Sequence, residues 1–153
     1  MFIDLNLEWG QSLPLERAPD SLYAVDLDAI PDTPGVYVFF RAFGKSATAL
    51  YVGKAGKLRS RIKQQLNALK LMKGIENAAI GRRFIAFGEL RRRPGQQISP
   101  CLALIEHALI RYYLANKHEL LNIHGNRIRK HSLASERHGP VLHHLIPKSI
   151  DFE

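Results

Sequence analysis

Two short segments constrain this chain more than any other feature: Gly35-Val36-Tyr37 and Tyr51-Val52-Gly53, each of which sets a tyrosine within two residues of a glycine. Val36 to Phe40 and Ala49 to Val52 are rich in β-branched and aromatic residues, and the Gly44-Lys45-Ser46 stretch lies between them as a loop, so together they predict a hairpin. After Gly56 the period changes. Leu58, Ile62, Leu66 and Leu69 recur at spacings of four, four and three, which predicts a helix with one apolar face that stops at Gly74. Lys54, Lys57, Arg59, Arg61 and Lys63 cluster around the start of that helix. Two strand-end tyrosines beside a cationic helix start are suited to holding a phosphodiester.

The flanking segments predict a mixed α and β pattern. Ile3, Leu5, Leu7 and Trp9 alternate with Asp4, Asn6 and Glu8, the period of a half-buried strand, expected here as an added edge strand. Pro14, Pro19, Pro31 and Pro34 punctuate an acidic connector whose end, Thr33-Pro34-Gly35, turns the chain into the hairpin. Arg82 to Leu90 holds a third strand around Phe84-Ile85-Ala86-Phe87, followed by the basic loop Arg91-Arg92-Arg93-Pro94-Gly95. Ser99-Pro100 supplies a cap and a first-turn proline for a second helix, with Leu102, Ile105, Leu109 and Tyr113 as its buried stripe.

A chain of 153 residues with 46% hydrophobic and 24% charged content builds one core and is too short for two ordinary domains. The expected division is an acidic extension over residues 1–33, a central domain over 34–126, and a basic, histidine-rich extension over 127–153 packed on the domain or trailing it. Cys101 stands alone, so no intramolecular disulfide can form, in keeping with a reducing compartment. No apolar run approaches a membrane span, and the first residues lack the basic and then apolar pattern of a signal peptide; a cytoplasmic protein without membrane contact is expected.

Charge is unevenly distributed. The net charge is +8, yet residues 1–34 hold seven acids (Asp4, Glu8, Glu16, Asp20, Asp26, Asp28, Asp32) against the single base Arg17, which leaves 21 basic and 7 acidic residues beyond them, a net +14. Such a field attracts polyanions, nucleic acid above all. No helix-turn-helix or zinc-finger pattern is visible, and the seven histidines, all from His107 onward, match no standard zinc spacing. Asn126-Arg127-Ile128-Arg129-Lys130-His131 reads as a phosphate-contacting extension, with Arg127, Arg129 and Lys130 as its cations.

Helical geometry isolates three more residues. Glu106 falls between Leu102, Leu109 and Tyr113, within an apolar stripe, where a carboxylate requires a metal ion, an arginine partner or exposure in a cleft. On the earlier helix Arg61 sits at one edge of the stripe and Gln65 lies within it, so both should point along the sheet-facing side; Arg59 and Lys63 read as solvated cations that add general field.

Taken together, these residues resemble the GIY-YIG nucleases, the catalytic domain found in excision-repair and homing endonucleases. The resemblance rests on Pro34-Gly35-Val36-Tyr37, Leu50-Tyr51-Val52-Gly53-Lys54-Ala55, Leu58 with Arg61, Glu106 with Leu109-Ile110, and Leu120-Leu121-Asn122. It implies a compact α+β domain with a small, mainly antiparallel three-stranded sheet flanked by helices, and Mg²⁺- or Mn²⁺-dependent hydrolysis of DNA phosphodiester bonds, RNA not being excluded. By position, Tyr37 and Tyr51 would stand side by side with one of them activating water, Arg61 would steady the phosphate, Glu106 would bind the metal, and Lys54 would lower a tyrosine pKa or contact phosphate. Gly53, Lys57, Arg59, Lys63, Gln65 and Asn122 complete the expected nucleic-acid contacts, Asn122 being favoured over Asn116 and Asn126 by the preceding leucines.

The chain departs from the family in three places. Val38 to Leu50 is longer than usual, which implies an enlarged hairpin loop; Gln65 stands where many members have tyrosine or histidine; and the interval from Glu106 to Asn122 is long. Gln65 cannot act as a base, so the alternative expectation is a nucleic-acid-binding module that keeps the fold with weak or no catalysis. Members of such a family often rely on a partner protein for targeting, and the resemblance leaves oligomeric state open.

Overall fold

The computed structural model describes residues 4–122, 131–136 and 145–152. Among them the strands are β1 (Asp4–Trp9), β2 (Leu13–Pro14), β3 (Glu16–Arg17), β4 (Tyr23–Ala24), β5 (Gly35–Phe43), β6 (Ser46–Ala55), β7 (Arg82–Arg91), β8 (His131–Glu136) and β9 (Ser149–Phe152). The helices are α1 (Leu58–Leu66), α2 (Leu69–Glu76) and α3 (Ile98–Ala115), with a 3₁₀ turn at Leu27–Ala29. The fold is α+β, as expected, with a mainly antiparallel sheet in the order β6-β5-β7-β1-β8-β9 and β2 beside β7.

The hairpin of β5 and β6 turns on Gly44 and Lys45, between the paired residues Phe43 and Ser46. Gly44 takes φ +61°, the positive value a two-residue hairpin turn requires at its first central position, and Ser46 Oγ donates to the Phe43 carbonyl at 2.9 Å. The long interval between the two tyrosines is therefore strand, with one register shift at Phe39/Phe40, and not the enlarged loop the sequence suggested.

The sheet extends well beyond the three strands expected. β1 and β2 run along the far side of β7, pairing Leu7 with Leu90 and Leu13 with Ile85, and the Gly10 N–H bridges them by donating to the Phe87 carbonyl at 3.0 Å. β1 is an interior strand and not an edge, because β8 pairs with its other side in parallel. Its alternating pattern is borne out, with Leu5, Leu7 and Trp9 buried.

Strand alternation divides the core between the two faces of the sheet. Tyr37, Phe39, Leu50, Ile85 and Phe87 pack against Leu58, Ile62 and Leu66 of α1 and Met72 and Ile75 of α2, with Leu15, Tyr23 and Ile30 closing that side. Val36, Val38, Phe40, Val52 and Ala86 pack with Leu5, Leu7 and Trp9 against Leu102, Ile105, Leu109 and Tyr113 of α3.

The helices differ from expectation in two details. The single helix to Gly74 is two, because the chain breaks at Asn67, whose Nδ2 donates to the Lys63 carbonyl at 3.2 Å. The break shifts the helical phase, leaving Leu69 60% exposed and bringing Met72 and Ile75 inward. Gly74 lies inside α2, where an added Cβ would stand 2.9 Å from Leu121 Cδ1, so it allows a close approach and does not stop the helix. α3 begins at Ile98 behind Gln97, which puts Ser99 and Pro100 within its first turn, where a proline costs no hydrogen bond.

Candidate active site

Tyr37 is fully buried on the α1 face of β5 and faces Gly53 across the ladder. A Cβ at position 53 would lie 2.2 Å from Tyr37 Cζ and 2.3 Å from Oη, so the phenol fits only because residue 53 has no side chain. Gln65 of α1, also buried, donates from Nε2 to Tyr37 Oη at 2.7 Å. The half-buried Tyr51 stacks beside Tyr37 with ring centroids 6.3 Å apart and planes at 28°. Tyr37, Tyr51 and Gln65 thus come together on one face, with Arg61 exposed one turn before Gln65.

Burial pushes the Tyr37 hydroxyl up to about 12, against the opposing pull of the Gln65 hydrogen bond and of the charge and hydrogen bonding of Arg61. Because the Gln65 amide donates to Oη, the phenolic proton is directed elsewhere. At neutral pH Tyr37 is therefore a protonated donor.

The start of α1 is already satisfied by the acidic connector. The N–H groups of Leu58 and Arg59 donate to the carbonyls of Thr33 and Pro31 at 3.0 and 3.3 Å, and that of Ser60 donates to Asp32 Oδ1 at 3.0 Å. The Ser60 N–H holds the Asp32 carboxyl below its usual range. Arg59 is not the solvated cation expected: its Nε donates to the carbonyls of Leu27 and Ile30 at 3.0 and 2.8 Å and fastens the connector to the helix. With these N–H groups occupied, the exposed cations around α1 and its start are the side chains of Lys57, Arg61 and Lys63.

Lys54 and Glu106 belong to the opposite face. Lys54, exposed, pairs with Val36, whose side chain packs in the core under α3. Glu106 is half-buried on α3, seven residues before Tyr113, or about 10 Å of helix rise. Tyr113 rests against the ring of His118, whose Nδ1 accepts the Ala49 N–H at 2.8 Å. Among the described residues no three of His, Cys, Asp or Glu gather to hold a metal ion. A single carboxylate suits Mg²⁺ or Mn²⁺, which keep waters and take substrate oxygens, and does not suit zinc.

The side chain of Asn122 is engaged with the protein itself. Its Oδ1 accepts the Val52 N–H and its Nδ2 donates to the Val52 carbonyl, both at 2.8 Å, in a buried position on the free edge of β6. Leu121 N–H adds a bond to the Leu50 carbonyl at 2.7 Å. Asn122 thus seals the strand that carries Tyr51, a role that the residue pattern alone does not separate from ligand contact. The capping roles of Asp32 and Thr33 and the His118 bond to Ala49 were not legible in the sequence either, because their partners are distant along the chain. Arg127, Arg129, Lys130 and the histidines at 124, 138, 143 and 144 lie outside the described residues.

Comparison with known proteins gives two partial matches. The chain is 43% identical over 63 residues to UvrABC system protein C of Thermus thermophilus, a stretch covering 41% of this chain and 10% of that protein. It is 46% identical over 43 residues to UvrABC system protein C of Deinococcus radiodurans, covering 28% of this chain and 6% of that protein. The chain thus spans a tenth or less of the length of these relatives. No family model and no solved structure matches. Among the described residues no helix is long and apolar enough to cross a membrane.

Proposed function

We propose that this chain is a GIY-YIG-type endonuclease that hydrolyses DNA phosphodiester bonds with Mg²⁺ or Mn²⁺. The observation that carries the reading is the phenol of Tyr37, seated on Gly53, bonded to Gln65 and stacked on Tyr51. The partial matches to UvrABC system protein C agree with a nuclease relationship. In this reading Tyr37, protonated and directed by Gln65, donates a hydrogen bond to a phosphoryl oxygen or to the attacking water. Tyr51, half-buried beside it, accepts a hydrogen bond from the attacking water, whose proton passes to solvent as the new O–P bond forms. Arg61 presents its guanidinium fork to the phosphate, Lys57 and Lys63 add positive charge along the flanking backbone, and Lys54 meets that backbone from the α3 side of the sheet. Glu106 is the residue that would hold the metal, from the α3 side of the sheet, and a bound metal would supply positive charge for the developing phosphoryl charge.

A second reading, a binding module with little or no hydrolysis, has one specific observation in its favour: Gln65 occupies the position from which a titratable residue would face Tyr37. The experiment that separates the two is cleavage of labelled duplex, single-stranded and branched DNA with Mg²⁺, Mn²⁺ or EDTA, with Glu106→Ala as the variant. The nuclease reading expects cutting that EDTA abolishes and that the folded variant lowers by at least about a hundredfold. Binding of the panel without cutting in either metal would establish the module instead.

A further inference from the structure

At the end of the sheet away from Gly35 and Gly53, a recess of about 510 Å³ opens between the tip of the β5–β6 hairpin and the start of β7. Phe43, 57% exposed, and Ile80, 75% exposed, stand at its rim, and the partly buried Phe84 lines its wall. The guanidinium of Arg82 lies 5.0 Å from the centroid of the Phe84 ring. Phe84 in turn stacks on the buried Phe40 at 5.4 Å, so the wall is anchored in the core.

The recess is positioned independently of the tyrosine pair. Phe43 is six residues along β5 from Tyr37, about 20 Å of strand. Arg82 and Phe84 pair with Ala42 and Phe40 and share the α3 face, whereas Tyr37 and Tyr51 face α1. The charged groups of the adjoining 340 Å³ recess are already satisfied: Arg17 pairs with Glu76, and Arg83 donates to the carbonyls of Ile75, Ala79 and Gly81. By contrast, the wall of the larger recess carries a cation and no acid.

We propose that this recess docks a protein partner through a short segment that pairs apolar side chains with acidic neighbours. Three large apolar side chains around one arginine match the composition of protein interfaces, in which aromatic residues and arginine are enriched. A nucleic-acid footprint is more polar and more cationic than this. The stack on Phe84 orients the guanidinium and leaves its planar edge open for a partner carboxylate. A partner seated here would leave the tyrosine face open, and the proposal does not depend on hydrolysis at that face.

The test is an NMR titration of the full chain with three hexapeptides and a short DNA duplex. One peptide carries a central Leu-Phe flanked by pairs of glutamate, the second has lysine in place of glutamate, and the third has serine in place of Leu-Phe. The expected result is saturable shifts confined to residues 42–44 and 80–84 with the first peptide alone. Arg82→Glu should weaken that binding by about tenfold, with Arg82→Gln intermediate. Phe43→Ser, at an exposed site that does not threaten folding, should remove it. Equal binding of all three peptides, or no saturable shift with the first, would overturn the proposal. So would shifts of the same resonances by the duplex, or a dependence on protein concentration that identifies a second copy as the occupant.

Discussion

A Cβ on residue 53 would stand 2.2 Å from Cζ of a fully buried tyrosine, so replacing Gly53 forces Tyr37 to move against packed neighbours. Gly53→Ala is expected to cost about 1–3 kcal/mol in urea denaturation, the range for overpacking. It should also reduce DNA cleavage by far more than the loss of folded protein explains, since the phenol leaves Gln65. Gly56→Ala is the control, because a Cβ there meets nothing within 4 Å. An equal, small effect of both changes would mean that the tyrosine pair tolerates displacement and that its geometry is not critical. Gly53 was legible in the sequence as part of a motif, but its physical role was not, because the atom it makes room for belongs to a strand 16 residues away.

The free edge of β6 is sealed by the segment after α3, through His118 on Ala49, Leu121 on Leu50 and Asn122 on Val52. Replacing Asn122 with leucine of similar size strands the Val52 N–H and carbonyl, at about 1–3 kcal/mol for each unsatisfied group. Asn122→Leu should therefore lower the urea midpoint and speed amide exchange at Val52. Intact stability with weakened DNA binding would instead make Asn122 a phosphate contact. His118 supplies a pH dependence: burial lowers its pKa, and its Nδ1 must stay unprotonated to accept the Ala49 N–H. The unfolded chain takes up that proton first, near the ordinary histidine value of about 6.5, so stability present above it declines as pH falls toward the lower folded value. His118→Gln, which can still accept a hydrogen bond and does not titrate, should flatten the change in thermal midpoint between pH 7.5 and 5.5. Elements with strong local period, α3 and the hairpin, were legible in the sequence. The split at Asn67, the interior place of β1 and this edge seal were not, since each depends on contacts distant along the chain.

At the scale of the molecule, the acidic N-terminal segment and the basic remainder cannot be separated by truncation. Removing residues 1–34 would take Leu5, Leu7 and Trp9 from one core and Ile30 from the other, and would uncap α1 by removing Pro31, Asp32 and Thr33. The screening of the basic field is better tested by neutralising Asp20, Asp26 and Asp28, which are exposed in the connector, while leaving the cap residue Asp32 in place. The triple change to asparagine raises the net charge from +8 to +11. It should tighten binding to a short DNA duplex by about 2- to 5-fold in fluorescence anisotropy at low salt, with the gain shrinking as salt shortens the Debye length to about 8 Å. A gain that survives salt would point to a direct contact uncovered by the substitutions. Unchanged affinity at low salt would show that the connector's charge lies too far from the bound phosphates to be felt, and would leave its carbonyls and Asp32, which brace the start of α1, as its contribution to the site.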